Sequence, residues 1–150
     1  MTPTNIDSKV LAQRGAWILE MIGALRDLPL NNKGEFLQNR HTVAAAESYL
    51  RRSLEALFDV GRHILVKRFA FPATEYKEIA RGLLDKKILN EDEAELMRKI
   101  AGYRNRMAHF YHEITPDELH EICLSHLDEI KLLLDRMLQA IKGKELALRK

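Results

Sequence analysis

Apolar residues recur at steps of three and four along most of the chain, and nowhere do they alternate convincingly with polar ones. The first such pattern runs through Val10, Trp17, Ile18, Met21, Ile22 and Leu25. It predicts an amphipathic helix from about Asp7 to Asp27, with Trp17, Met21 and Leu25 as core-packing residues. Pro29 and the polar run Asn31, Asn32, Lys33, Gly34 close it. A longer pattern from about Phe36 to Phe69 passes through Val43, Ala46, Leu50, Leu54, Leu57, Phe58, Gly61, Ile64 and Leu65. It predicts one helix that spans the whole molecule. Pro72 interrupts it, and Thr74 is placed to cap a shorter helix through Tyr76, Ile79, Ala80, Leu83 and Leu84. Asn90 with Glu93 forms a capping-box pattern for a fourth helix reaching about His109. Thr115, Pro116, Asp117 and Glu118 combine a cap, a proline at the first helical position and a capping-box glutamate. The last helix follows through Leu119, Ile122, Cys123, Leu127, Ile130, Leu133, Leu134, Met137 and Ile141, with an expected stop near Gly143.

Five helices with short connections predict an all-α fold: one antiparallel helical bundle over residues 1–150, with a frayed tail from about 143. A chain of 150 residues with 46% apolar content is of the right size and composition for one such domain. Lysine and arginine exceed aspartate and glutamate by only 24 to 22. Net charge therefore says nothing for nucleic-acid binding, and local clustering must carry that argument. Cys123, the single cysteine, excludes an internal disulfide and a paired-thiolate zinc site, and suits a reducing, cytoplasmic setting. The N-terminal stretch mixes Asp7, Lys9, Arg14 and Glu20 among its apolar residues, which argues against a signal peptide or a membrane partner. No glycine-rich phosphate loop, paired-carboxylate metal signature or nucleophile elbow is present, so no cofactor or metal is expected. His41, His63, His120 and His126 read as structural or solvent-facing.

The chemistry concentrates in Tyr103, Arg104, Asn105, Arg106, Met107, Ala108, His109, Phe110, Tyr111 and His112, at the end of the fourth helix. Leu96, Ile100, Tyr103 and Met107 form the expected core stripe. Arg104 falls on the stripe beside it, in line with Met97, Ala101 and Ala108, and a cation on a largely apolar stripe requires a reason. Asn105 and His109 lie close in angle on an ideal helix, so with Arg104 they make one polar corner beside an apolar surface. Arginine offers a permanently charged fork matched to phosphate oxygens, and histidine suits proton transfer near neutral pH. Such residues suit metal-independent RNA cleavage, in which the 2′-hydroxyl attacks the adjacent phosphate. Arg104 would bind the phosphate, His109 would move protons, and Asn105 would orient either group. From Leu96 to His112 the chain carries Arg98, Lys99, Arg104 and Arg106 and no acidic residue. That local excess, with His112 beside it, makes Arg98, Lys99, Arg106 and His112 candidates for contact with an RNA backbone; DNA is not the expected partner.

Arg104, four intervening residues, His109, one residue and Tyr111 resemble the Arg-x4-His-x-Tyr motif of the HepT-like toxins of the HEPN superfamily, and Asn105 follows the arginine as in many of them. The resemblance implies a homodimer that brings two copies of the motif into one cleft through the helices near it. Base and acid can then come from the two His109 residues. It further implies the toxin of a type VII-like toxin–antitoxin system, partnered by an MntA-type minimal nucleotidyltransferase antitoxin. That partner would silence the toxin by adenylylating Tyr111; a bulky anion there would block the cleft and neutralise its charge. The alternatives are a non-catalytic helical module that binds the nucleotidyltransferase or a nucleotide, and a scaffold whose basic face holds RNA.

Overall fold

The computed structural model describes the backbone of residues 5–109 and 114–149, and the side chains of these except His109 and residues 144–149. Every regular element among them is helical: α1 (Ser8–Arg26), α2 (Lys33–Gln38), α3 (Arg40–Phe69), α4 (Tyr76–Asp85), α5 (Glu91–His109), α6 (Pro116–Ser125) and α7 (Leu127–Arg149). The expected all-α bundle is thus present, with seven helices where five were read.

The two extra helices arise at local caps. Asn32 accepts a hydrogen bond from the Glu35 backbone N–H at 3.0 Å and starts α2. Asn39, extended at φ −106° and ψ 107°, ends α2 and caps α3 through the His41 N–H at 2.9 Å. The predicted last helix likewise breaks at His126, whose backbone leaves helical geometry at φ −117° and ψ 0°. Its Nδ1 meets Glu129 Oε2 at 2.7 Å across the new helix start. Gly143 does not stop α7, which continues to Arg149. The capping box at Asn90 is in place, Asn90 and Glu93 exchanging bonds of 2.8 and 2.9 Å, while Thr115 accepts from the Glu118 N–H at 3.2 Å but the Glu118 carboxylate turns to Arg106 instead of closing the box. Thr74 does not cap α4. The cap position is Glu75, without a side-chain bond, and the Thr74 N–H instead donates to Glu78 at 3.2 Å.

α3 is the axis of the bundle. The Asp7 N–H, at the start of α1, donates to His63 Nε2 at 3.2 Å in the second half of α3. On another side α4 crosses close over Gly61, where an added Cβ would lie 2.9 Å from Ile79 Cγ2 and 3.1 Å from Leu83 Cδ1. α5 also crosses there, placing Met97 Cε 3.6 Å from the same point. α7 packs on α1, with Leu134 and Leu138 against Gly15 and an ion pair between Arg26 and Asp128. Leu50, Leu54, Leu57, Phe58, Ile64 and Leu65 of α3 are fully buried among these neighbours. His120 is buried too, bonding the Leu30 carbonyl at 2.7 Å and packing against Phe36. Cys123 is a core residue, its thiol pushed up to about 12 by burial. Trp17 departs from its expected core place: Met21 and Leu25 are buried, whereas Trp17 is 38% exposed. Among the described residues no helix is long and apolar enough to cross a membrane.

Candidate active site

The buried stripe of α5 is Ala94, Met97, Ile100 and Ala101, while Leu96, Tyr103 and Met107 are only half-buried. Arg104 follows Met97 and Ala101 at helical spacing, so it extends the deepest stripe of its helix instead of the one beside it. Its side chain is 20% exposed. The guanidinium lies over the ring of Tyr76, the first residue of α4, with Cζ 4.5 Å from the ring centroid. Tyr76 in turn stacks on Phe58 of α3, centroids 4.5 Å apart and planes within 4°. A cation over an aromatic face is favoured by about 0.5–2 kcal/mol, more as water is removed.

Glu55 on α3 completes the setting. Its Oε1 is 2.9 Å from Arg51 Nη1 but 3.9 Å from Arg104 Nε, which is attraction without a hydrogen bond. Arg104 Nε is buried and has no hydrogen-bond partner. A buried N–H without an acceptor costs about 1–3 kcal/mol, so the guanidinium is held in place by ring and charge at some cost, with no carboxylate fork among the described residues closing on its terminal nitrogens. Burial pushes the Tyr76 phenol up from its ordinary value, against the opposing pull of Arg104; Glu55 and Asp59 push the same way as burial and Arg62 against it. Tyr76 therefore faces Arg104 as a neutral phenol.

Two residues further, Arg106 is used differently. Its Nη1 and Nη2 each lie 2.7 Å from a carboxylate oxygen of Glu118, a bidentate pair that fastens α5 to α6. That bond holds the Glu118 carboxyl below its ordinary value, with burial acting against it and the Arg106 charge adding to it.

The family described as ribonuclease HepT-like matches residues 18–137. The chain belongs to that family. No curated protein matches it significantly. Solved structures agree on the fold. A tri-AMPylated HEPN toxin from Shewanella oneidensis, in complex with MNT antitoxin, superposes with a TM-score of 0.79 at 19% identity, over 89% of this chain and 99% of that one. A toxin–antitoxin structure with AMP-PNP gives 0.75 at 18% identity, over 87% and 99%. A cytosolic protein of unknown function from Bacillus subtilis, YutE, gives 0.77 at 16%, over 93% of each chain.

In this HepT-like chain Arg104, Asn105 and His109 fall at the C-terminal end of α5. Asn105 is half-buried beside Arg104, and His109 is the last residue of the helix. The His109 side chain, Tyr111 and His112 lie outside the described residues. Arg98 and Lys99 are exposed one to two turns before Arg104, Arg98 at 3.9 Å from Glu95. A cavity of about 400 Å³ adjoins this helix end, lined by Arg40, Val43, Glu47, Arg106, Met107 and Ile114 among others. No group of three or more potential metal ligands occurs among the described residues. The sequence reading missed Tyr76, Glu55 and Arg51. Tyr76 read as one more apolar contact on its helix, and Arg51 and Glu55 were not paired with Arg104. The one available signal was Arg104 itself, which needed a partner to sit on a core stripe.

Proposed function

We propose that the chain is the toxin of a type VII-like toxin–antitoxin system, a metal-independent endoribonuclease that works as a homodimer in the cytoplasm. One observation carries the reading: Arg104 is anchored on Tyr76 and near Glu55 with its buried Nε unpartnered, on the same helix end as His109. An RNA phosphate is the acceptor such a guanidinium fits, through a fork that matches two of its oxygens.

In the proposed reaction one His109 takes the proton of the ribose 2′-hydroxyl as its oxygen attacks the adjacent phosphorus. The bond to the 5′-oxygen breaks, and the His109 of the second subunit supplies the proton that oxygen needs. A 2′,3′-cyclic phosphate and a 5′-hydroxyl result. Each proton transfer contributes roughly 10²–10⁴-fold. Arg104 stabilises the charge on the non-bridging oxygens, a role worth about 10²–10³-fold where a single such donor is removed. Asn105 orients the pair, and Arg98, Lys99 and His112 hold the strand outside the cleft. Arg106 fastens α5 to α6 through its bond to Glu118 and is assigned no direct RNA contact. A minimal nucleotidyltransferase antitoxin is the proposed partner and Tyr111 its adenylylation target, a reading supported by the adenylylated state and antitoxin complex of the Shewanella protein.

The test is incubation of purified dimer with mixed tRNA and messenger RNA in EDTA, beside Arg104→Ala and His109→Ala. Cleavage by wild type alone is expected. Equal survival of the RNA with all three folded proteins sinks the nuclease reading and leaves a non-catalytic partner-binding module. Mass spectrometry after co-expression with a minimal nucleotidyltransferase should show added adenylate on Tyr111.

A further inference from the structure

Beyond Arg104, the outward face of α3 continues through Glu55, Asp59, Arg62 and Val66, at steps of four and three. All four are half-buried, as the floor of a shallow channel between neighbouring helices would be, and from Asp59 on they line a cavity. The segment leading into α4 lies on one side: Arg62 Nη2 donates to the Thr74 carbonyl at 3.1 Å, two residues before Tyr76. α1 walls the other: Val10 and Arg14 join Asp59, Arg62, His63, Val66 and Lys67 around a cavity of about 290 Å³. From Glu55 to Lys67 the helical rise of ~1.5 Å per residue gives ~18 Å, room for several nucleotides.

The chemistry of the channel is of one kind. Its two acidic residues are already neutralised, Glu55 by Arg51 at 2.9 Å and Asp59 by Arg62 at 3.5 Å. Arg14 and Lys67 enter no ion pair among the described residues. Their charges, after burial, help hold the His63 imidazole below its ordinary value, with Asp7 opposing. His63 Nε2 accepts the Asp7 N–H, which leaves the Nδ1 proton of the neutral ring as a donor. On the α1 wall, Val10, Arg14 and Trp17 recur at steps of four and three, placing the exposed indole on the same stripe as the two cavity-lining residues. Its exposure, unexplained by the core, fits a base-stacking platform next to phosphate-binding cations.

We propose that the channel between α1 and α4 is a binding subsite for single-stranded RNA, in which Trp17 stacks on a base and Arg14 and Lys67 hold the backbone leading away from Arg104. The inference rests on the nuclease reading for its substrate but not for its test.

That test measures fluorescence polarisation of a labelled twelve-nucleotide single-stranded RNA on the full chain carrying His109→Ala, so that nothing is cut. Trp17→Ala should weaken binding about tenfold, and Trp17→Phe should restore most of it. Arg14→Ala and Lys67→Ala should each lower the slope of log affinity against log salt by about 0.7, the loss of one phosphate contact to a single strand. Leu132→Ala, on the exposed face of α7, should bind as the parent does. If the chain cleaves RNA while the Trp17, Arg14 and Lys67 variants, folded by circular dichroism, bind it like the parent, the channel is overturned and the nuclease stands. Should those three residues govern binding in a chain that cuts nothing, the channel stands and the nuclease falls. If the variants lose a co-expressed nucleotidyltransferase instead of RNA, the face docks protein and the proposal is wrong.

Discussion

Arg104 and Arg106 stand two residues apart on α5, and the regions that receive them treat the same side chain in opposite ways. On the α6 side, Glu118 takes both terminal nitrogens of Arg106 at 2.7 Å. On the α3–α4 side, Tyr76 offers Arg104 a ring face and Glu55 a carboxylate 3.9 Å away, and no acceptor reaches the buried Nε. A satisfied guanidinium contributes to the fold and has little capacity left for a ligand. One seated by a ring face and a distant carboxylate is poorer for stability and better for chemistry, because its terminal nitrogens are not already taken by a carboxylate of the described residues and can meet a phosphate.

The sharpest way to break that comparison is to neutralise each arginine in turn. Arg104→Gln should reduce RNA cleavage by about 10²–10³-fold with little change in thermal stability. Arg104→Lys should fare scarcely better, since an ammonium has neither the planar fork nor the same stacking. Arg106→Gln should do the reverse, lowering the unfolding temperature while cleavage persists. Parallel melting curves and cleavage rates decide it. If Arg104→Gln melts far below wild type, that arginine is a structural cation and the contrast fails.

The helix patterns, the caps at Asn90 and Thr115 and the motif beginning at Arg104 were legible in the sequence because each is local: a period, or residues a few positions apart. What was not legible depends on geometry that no short window carries. α3 ends in a left-handed residue at Ala70, φ 52°, where glycine would be the usual signal. Lys87 at φ 60° is a second such position after α4. The breaks at Asn39 and His126 lie inside continuous apolar periods, so pattern alone joins what caps divide. The partners of Arg104 come from two other helices, and Trp17 shares the spacing of a core residue while lying at the edge of the bundle.

The next effect tests how Tyr76 is delivered to Arg104. α4 approaches α3 at Gly61, where a methyl group would meet Ile79 Cγ2 at 2.9 Å and Leu83 Cδ1 at 3.1 Å. Gly61→Ala should cost about 1–3 kcal/mol by overpacking, read by urea denaturation. It should also slow cleavage, because α4 carries the ring beneath the guanidinium. Loss of stability with an unchanged rate would mean that the seat of Arg104 does not depend on this contact.

A smaller change separates the ring from its hydroxyl. Tyr76→Phe keeps the aromatic face and should retain most activity. Tyr76→Leu removes it, with an expected loss in kcat of about three- to tenfold, the equivalent of an interaction of ~1 kcal/mol. A split confined to KM would point to substrate contact by Tyr76 itself and away from a positioning role. Equal rates for both variants would leave Arg104 held by charge alone.

The least effect belongs to the satisfied arginine and is seen through pH. Because the Arg106 bond lowers the folded-state pKa of Glu118, the unfolded chain binds its proton at a higher pH than the folded one. The stabilisation is therefore complete above the ordinary carboxylate value of about 4.3 and is lost as pH falls through the lowered one. Both side chains are about one-third exposed, at 30% and 34%, so screening keeps the contribution to roughly 1 kcal/mol or less. Urea denaturation at pH 7 should separate wild type from Glu118→Gln by that amount, and the gap should close towards pH 3. An unchanging gap would assign the difference to packing between α5 and α6, and the Arg106 region would then differ from the Arg104 region in contacts instead of in charge.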